Sequence, residues 1–234
     1  MEILKKKSCW QIVVGKVVGV LALQGAFIKH IEMLQWMGVS TVQVRQSQDL
    51  EKCDGLILPG GESTTMHRQI HFSELESALR EFAKTHPVMG TCAGLILMAQ
   101  WGLLDVEVER NGYGPQIESC VRTLNLKLPK KRKQKFSGIF IRAPKIINVG
   151  NDVHVLAEMD NEPVLVQQGM CLAATFHPEL THDTLIHDYF LRTRKRAYGR
   201  QSQTTPPQKC AAASLPAICG PIAPIPKPSG DSPN

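Results

Sequence analysis

Long apolar runs are missing from this 234-residue chain. Nothing in it approaches the roughly 18 consecutive apolar residues that read as a membrane-spanning helix. Its seven cysteines, at positions 9, 53, 92, 120, 171, 210 and 219, include no CxxC pair and no cluster with histidine at zinc spacing. Neither a structural zinc site nor a dithiol motif is therefore expected, and no metal is assigned. An odd cysteine count also argues for a reducing compartment. Trp10 to Leu23, behind Lys5-Lys6-Lys7, has the outline of a signal peptide. Lys16 interrupts it, and Val17 onward is better used as a core strand, so a cytoplasmic location is expected. Aromatic residues are scarce, at 6%.

That scarcity bears on the charge. The net charge of +6 is concentrated in Lys127–Lys135, KLPKKRKQK, and in five basic residues between Arg192 and Arg200. Stacking aromatics do not interleave with these lysines, which argues against nucleic-acid binding. Pro129–Lys135 has the composition of a nuclear-import signal, but it is read here as a solvated loop between two strands.

What the chain does contain is an alternation of buried strands and amphipathic helices. Val17-Val18-Gly19-Val20-Leu21-Ala22-Leu23 is continuous apolar sequence, as expected of a strand covered on both faces. Phe27, Ile31, Leu34 and Met37 then recur at helical spacing, with Gly38 as the stop. Val39–Val44 and Gly55–Leu58 follow as strands, Leu75, Leu79 and Phe82 mark one helix, and Pro87-Val88-Met89 leads into a glycine-flanked turn. This order predicts an α/β domain with a mostly parallel sheet between helices. Ligands in such sheets bind beyond the carboxyl ends of the strands. The second half is richer in β-strand: Val106–Glu109, Gly138–Ile141, Val153–Ala157, Val164–Val166 and Leu172–Phe176, the last running directly into His177. Leu185–Arg196 closes the domain as a helix. Residues 1–15 read as a flexible extension, 16–198 as the domain, and 199–234 as a disordered tail, because eight of its last 29 residues are proline.

The turn after Met89 is Gly90-Thr91-Cys92-Ala93-Gly94, followed by the apolar Leu95–Ala99. Strand, G-x-C-x-G and helix form a nucleophile elbow with cysteine in the place of serine. Glycines remove the Cβ atoms that would clash at so sharp a turn. The sulfur then lies at a helix N-terminus, where free N–H groups favour the thiolate. Such a nucleophile needs a base. His177-Pro178-Glu179 follows a strand, and in an extended segment residues i and i+2 share a side. Glu179 is thus placed to orient His177 toward the sulfur, the logic of a catalytic triad. Pro59-Gly60-Gly61-Glu62 also falls at a strand end. Its glycines let backbone N–H groups converge on a developing oxyanion, with Gly61 and Ala93 as the two donors.

Longer stretches carry a resemblance. VGVLALQGAFIKHI from Val18, DGLILPGGESTTM from Asp54 and GTCAGLILMA from Gly90 resemble the glutaminase subunits of pyridoxal 5'-phosphate synthase. GLLDVEVERN from Gly102, IFIRAP from Ile139 and ATFHPEL from Ala174 extend the match, which covers about Val17 to Arg194. These subunits are class I (triad) glutamine amidotransferases, and the resemblance implies their flavodoxin-like fold. It also implies hydrolysis of L-glutamine to glutamate and ammonia, with ammonia passed to a separate synthase subunit that builds the vitamin B6 cofactor. By motif, Cys92 is the nucleophile, His177 the base and acid, and Glu179 the orienter. Gly60, Gly61, Glu62, Arg110, Ile141 and Arg142 line the glutamine site. No organic cofactor is implied.

Two features depart from the family. Trp101 alone joins Gln100 to Gly102, where a longer connection is usual, and Pro115 stands where arginine is usual. They keep two alternatives open: a triad amidotransferase serving another acceptor enzyme, and a catalytically silent interaction subunit.

Overall fold

The doubly buried run becomes β1 (Val17–Leu21) in a computed structural model that describes residues 16–110, 112, 119–129 and 134–197. It continues through α1 (Phe27–Trp36), β2 (Ser40–Val44), β3 (Gly55–Leu58), α2 (Ser63–Phe72), α3 (Glu76–Thr85), β4 (Val88–Thr91) and α4 (Ala93–Gln100). β5 (Val106–Glu109), β6 (Ser119–Leu126), β7 (Gln134–Ile141), β8 (Lys145–Val149), β9 (His154–Met159), β10 (Glu162–Gln168), β11 (Cys171–Ala174) and α5 (Leu185–Ala197) complete it.

Seven strands form the central sheet in the order β2-β1-β3-β4-β11-β10-β9. The five from β2 to β11 pair in parallel, and β10 and β9 add an antiparallel edge. The parallel part has the strand order of flavodoxin-like sheets, as the alternation predicts. Every residue of β3, β4 and β11 is buried, which is why β3 and β11 read as unbroken apolar sequence and β4 does so up to Thr91. Alternate residues feed two cores. Val18, Val20, Ile57 and Met89 pack with α1, α5 and the β6–β7 hairpin on one face. Leu56, Leu58 and Val88 pack with α2, α3, α4 and the β5–β8 ribbon on the other.

Three local expectations change. A second helix, α2, precedes α3. Its sequence, STTMHRQIHF, is polar enough to pass for loop, yet Met66 and Ile70 are fully buried and the Glu62 carboxylate caps its first amides. β11 ends at Ala174 rather than running into His177. Thr175 still donates its N–H to Val164 O of β10 at 3.0 Å, but the regular strand ends there and the chain bends into His177. Finally, Pro178–Leu180 is a 3-10 turn rather than extended backbone. Pro178 occupies its first position, where a fixed φ and a missing N–H suit a helical turn.

The short connection at Trp101 is well formed. Gly102, at φ +68°, donates to Ala99 O at 3.0 Å, and Leu103 donates to Met98 O at 2.9 Å. Those two bonds make a Schellman motif, which satisfies the last carbonyls of α4. Trp101 itself is buried. Among the described residues, no helix is long and apolar enough to cross a membrane. Residues 1–15, Pro115, the basic core at 130–133 and the proline-rich segment 199–234 lie outside the described residues.

Candidate active site

The parallel sheet reverses its winding between β1 and β3, and the loops after those strands meet there. Ala26 N–H donates to Gly60 O at 2.9 Å, and Gln24 Nε2 donates to Glu62 O at 2.7 Å. Gly25 sits at φ +85°, and a Cβ on it would lie 2.0 Å from Gly60 O. Beside them, β4 ends at the elbow.

Cys92 extends the β4–β11 ladder by one bond, its N–H donating to Ala174 O at 2.8 Å. The chain then reverses at φ 49°, ψ −104°, a conformation costing about 1–3 kcal/mol for a residue with a side chain. α4 starts at the next residue, so the amide of Ala93 is among the unpaired first-turn donors. The flanking glycines let α4 lie close to the sheet. A Cβ on Gly94 would come within 2.1 Å of Leu58 O, and one on Gly90 within 2.5 Å of Met98 Sδ. The sulfur is buried, 3.9 Å from Ile141 O.

His177 is held by its own N–H, which donates to Ile139 O of β7 at 2.8 Å. Its ring packs over Gly60, where a Cβ would meet Cε1 at 2.3 Å. Nδ1 lies 2.7 Å from Glu179 Oε1, and the ring and the Cys92 side chain both lie against Gly60. Both His177 and Glu179 are buried. Burial works against a charged imidazole, but its interactions with Cys92 and Glu179 outweigh it and raise the His177 pKa to about 10. Burial likewise works against the Glu179 carboxylate, while His30 and His177 hold its pKa below the ordinary carboxylate value. The expected pairing of His177 with Glu179 is therefore present, produced by a 3-10 turn instead of strand alternation.

Cys92 and His177 floor a crevice of about 600 Å³. Its wall includes all the remaining residues singled out from the sequence: Gly60, Gly61, Glu62, Ala93, Arg110, Ile141 and Arg142. Their states differ. The Glu62 carboxylate accepts from Thr64 N at 3.0 Å and Thr65 N at 2.6 Å, and the Thr65 side chain, followed by these amides, lowers its pKa to about 2. Arg110 donates to Thr64 Oγ1 at 3.2 Å. Arg142 stands at φ +41°. The sequence reading misses Gln24, which passes for part of a turn although it belongs to the LALQG stretch. It also misses His30, fully buried beneath the site on α1. The available signal is its position: His30 is three residues after Phe27 and four before Leu34, on the apolar face of the helix. Among the described residues, no group of three or more His, Cys, Asp or Glu side chains could hold a metal ion.

A cysteine elbow at the carboxyl edge of this sheet, with a His–Glu pair delivered from beside the neighbouring strand, is the arrangement of a class I glutamine amidotransferase. A solved structure described as a glutamine amidotransferase superposes with a TM-score of 0.72 at 40% identity, covering 76% of this chain and 98% of its own. A putative GMP synthase component from Thermoplasma acidophilum shares the fold at 17% identity, with a TM-score of 0.62, over 80% of this chain and 98% of its own. Pyridoxal 5'-phosphate synthase subunit PdxT of Francisella philomiragia is 45% identical over 178 residues, which is 74% of this chain and 97% of that protein. The PdxT of Thermotoga petrophila is 46% identical over 188 residues, 76% of this chain and 99% of its own. The sequence pattern of the SNO glutamine amidotransferase family matches residues 20–196, and this chain belongs to that family.

Proposed function

We propose that this chain is the glutaminase subunit of a pyridoxal 5'-phosphate synthase, supplying ammonia to a separate synthase subunit. The observation that carries the reading is His177, hydrogen-bonded to Glu179 and set beside Cys92 at the floor of a crevice large enough for an amino acid. The likeness to PdxT proteins supports the choice of acceptor.

In the proposed reaction, the Cys92 thiolate attacks the side-chain carboxamide carbon of L-glutamine. The oxyanion forms against the amides of Gly61 and Ala93. Protonated His177 gives its proton to the departing nitrogen, the C–N bond breaks, and ammonia leaves behind a glutamyl thioester. Water then gives a proton to His177 and attacks the thioester, the C–S bond breaks, and glutamate departs. The overall balance is glutamine plus water to glutamate plus ammonia. Arg110 and Arg142 are the cations available to the substrate α-carboxylate, an arrangement that suits the guanidinium fork. Glu62 stays ionised through the working range and offers the α-ammonium an acceptor.

Glutamate release from L-glutamine, measured with and without the purified synthase subunit, tests the reading. Activity that depends on the partner and disappears in Cys92→Ala is expected, with complex formation intact in that variant. A complex that forms but releases no glutamate would instead favour the silent subunit, and activation by a different acceptor enzyme would favour the other alternative. The capped end of α4 weighs against a silent subunit, because the short connection leaves the elbow geometry whole.

A further inference from the structure

Behind Glu179 lies a line of buried polar groups that the triad does not use. Glu179 Oε2, which makes no conventional hydrogen bond, is 3.4 Å from His30 Nε2. The same nitrogen is 3.2 Å from Thr91 Oγ1, on the residue just before the nucleophile. His30 Nδ1 is 3.0 Å from His187 Nε2 on α5. All of these side chains are essentially sealed from solvent, with His30, Thr91 and His187 at 0% exposure.

The contacts allow one consistent proton arrangement. A bare Nε2 on His30 would set a lone pair against a carboxylate in a dry site, so Nε2 carries the hydrogen. Thr91 Oγ1 takes that hydrogen bond, and the polarised N–H edge of the ring lies 3.4 Å from Glu179 Oε2. Nδ1 of His30 is then an acceptor, which requires the hydrogen of His187 on Nε2. That leaves His187 Nδ1 as a bare acceptor, and it is indeed buried without a partner. Burial lowers the pKa of both imidazoles, that of His187 to about 3, so both remain neutral. The groups facing Glu179 are His177 from its own turn, His30 from α1 and, behind it, His187 from α5. Lys29, Glu32 and His182 line the outer crevice that Glu179 also borders.

We propose that His30, fixed in its tautomer by His187, is a positioning residue for the reaction. It holds the second carboxylate oxygen of Glu179 so that the first stays aligned with His177. The proposal rests on the glutaminase reading for its consequence, but its geometry concerns the thiol–imidazole pair itself.

Two polar substitutions separate positioning from packing. Gln places an amide N–H near the place of Nε2, whereas Asn reaches only toward Nδ1. In the full chain assembled with its synthase subunit, His30→Asn is expected to lower kcat for glutamine by on the order of ten- to a hundredfold, with little change in KM. The acid limb of the kcat/KM profile should move toward neutral pH, because Glu179 loses the polar N–H edge that favours its ionised form. His30→Gln should restore most of both. The pH dependence of Cys92 alkylation by iodoacetamide, read on the Cys92 peptide by mass spectrometry, should shift in the same way. Alkylation needs no glutamine turnover, so it decides the question even if the wild-type complex releases no glutamate. The proposal is overturned if Asn and Gln behave alike. It is equally overturned if His30→Asn keeps the wild-type pH limb, or if its loss of activity only follows a lowered melting temperature with an unshifted alkylation profile.

Discussion

At the scale of single residues, the site depends on side chains that are absent as much as on those present. Gly60 lets the His177 ring lie against the β3 loop; Gly60→Ala would put a methyl group 2.3 Å from Cε1 and 2.9 Å from Nδ1. Backbone on one side and the Glu179 bond on the other leave the imidazole as the group that moves. A displacement of about 1 Å in a catalytic group is worth on the order of a hundredfold in rate. Gly60→Ala is therefore expected to lower kcat by about that factor while the far-ultraviolet circular dichroism stays as in the wild type. Unchanged turnover would show that the ring is free to shift without loss. His177 itself was legible because His-Pro-Glu follows a strand-like run. Its turn geometry was not, since a proline after a strand fits both an extended exit and a helical first turn.

Among elements, α4 is the one that brings nucleophile and sheet together, and its two ends carry different constraints. At the N-terminal end, Gly94 lies under Leu58 O, so Gly94→Ala forces helix and strand apart, a strain of about 1–3 kcal/mol. At the C-terminal end, Gly102 has nothing within 4 Å of its would-be Cβ, and Gly102→Ala meets only the left-handed backbone, at roughly 1–2 kcal/mol. Urea unfolding should register both losses, but only Gly94→Ala should also slow Cys92 alkylation, because only it displaces the elbow. Equal alkylation rates would contradict the close approach. Most elements could be read from the chain because β1, β3 and β11 are apolar throughout, β4 is apolar up to Thr91, and α1 and α3 are periodic. α2 was invisible for the opposite reason. Its stability derives from Met66, Ile70 and a Glu62 cap, too few apolar positions to make a pattern. The β6 strand was equally hidden, since its exposed residues, Val121 among them, obscure the alternation.

For the molecule as a whole, the buried titrating groups set opposite limits on stability. His177 is raised from 6.5 to about 10, so its contribution is complete below pH 6.5 and is lost as pH climbs toward 10. His187 is lowered from 6.5 to about 3, and His30 is lowered as well. Their contribution is complete above pH 6.5 and is lost as pH falls toward those folded values, where the unfolded chain takes up protons that the native one refuses. Glu179, lowered from 4.5, adds to the acid-side loss below that value. The urea midpoint should therefore peak near neutrality and decline on both sides. His187→Leu should flatten the acid side and leave the alkaline side unchanged; an acid slope identical to the wild type would refute the assignment.

The pairing of β4 with β11 also has a consequence in time. Val88 to Thr91 align in parallel with Cys171 to Ala174, so nucleophile and base reach the site from strands more than 75 residues apart in the chain. During synthesis the elbow leaves the ribosome long before the His177 segment does. A nascent chain thus carries its thiol well before it carries the base, and it gains the capacity to consume glutamine only when the sheet closes.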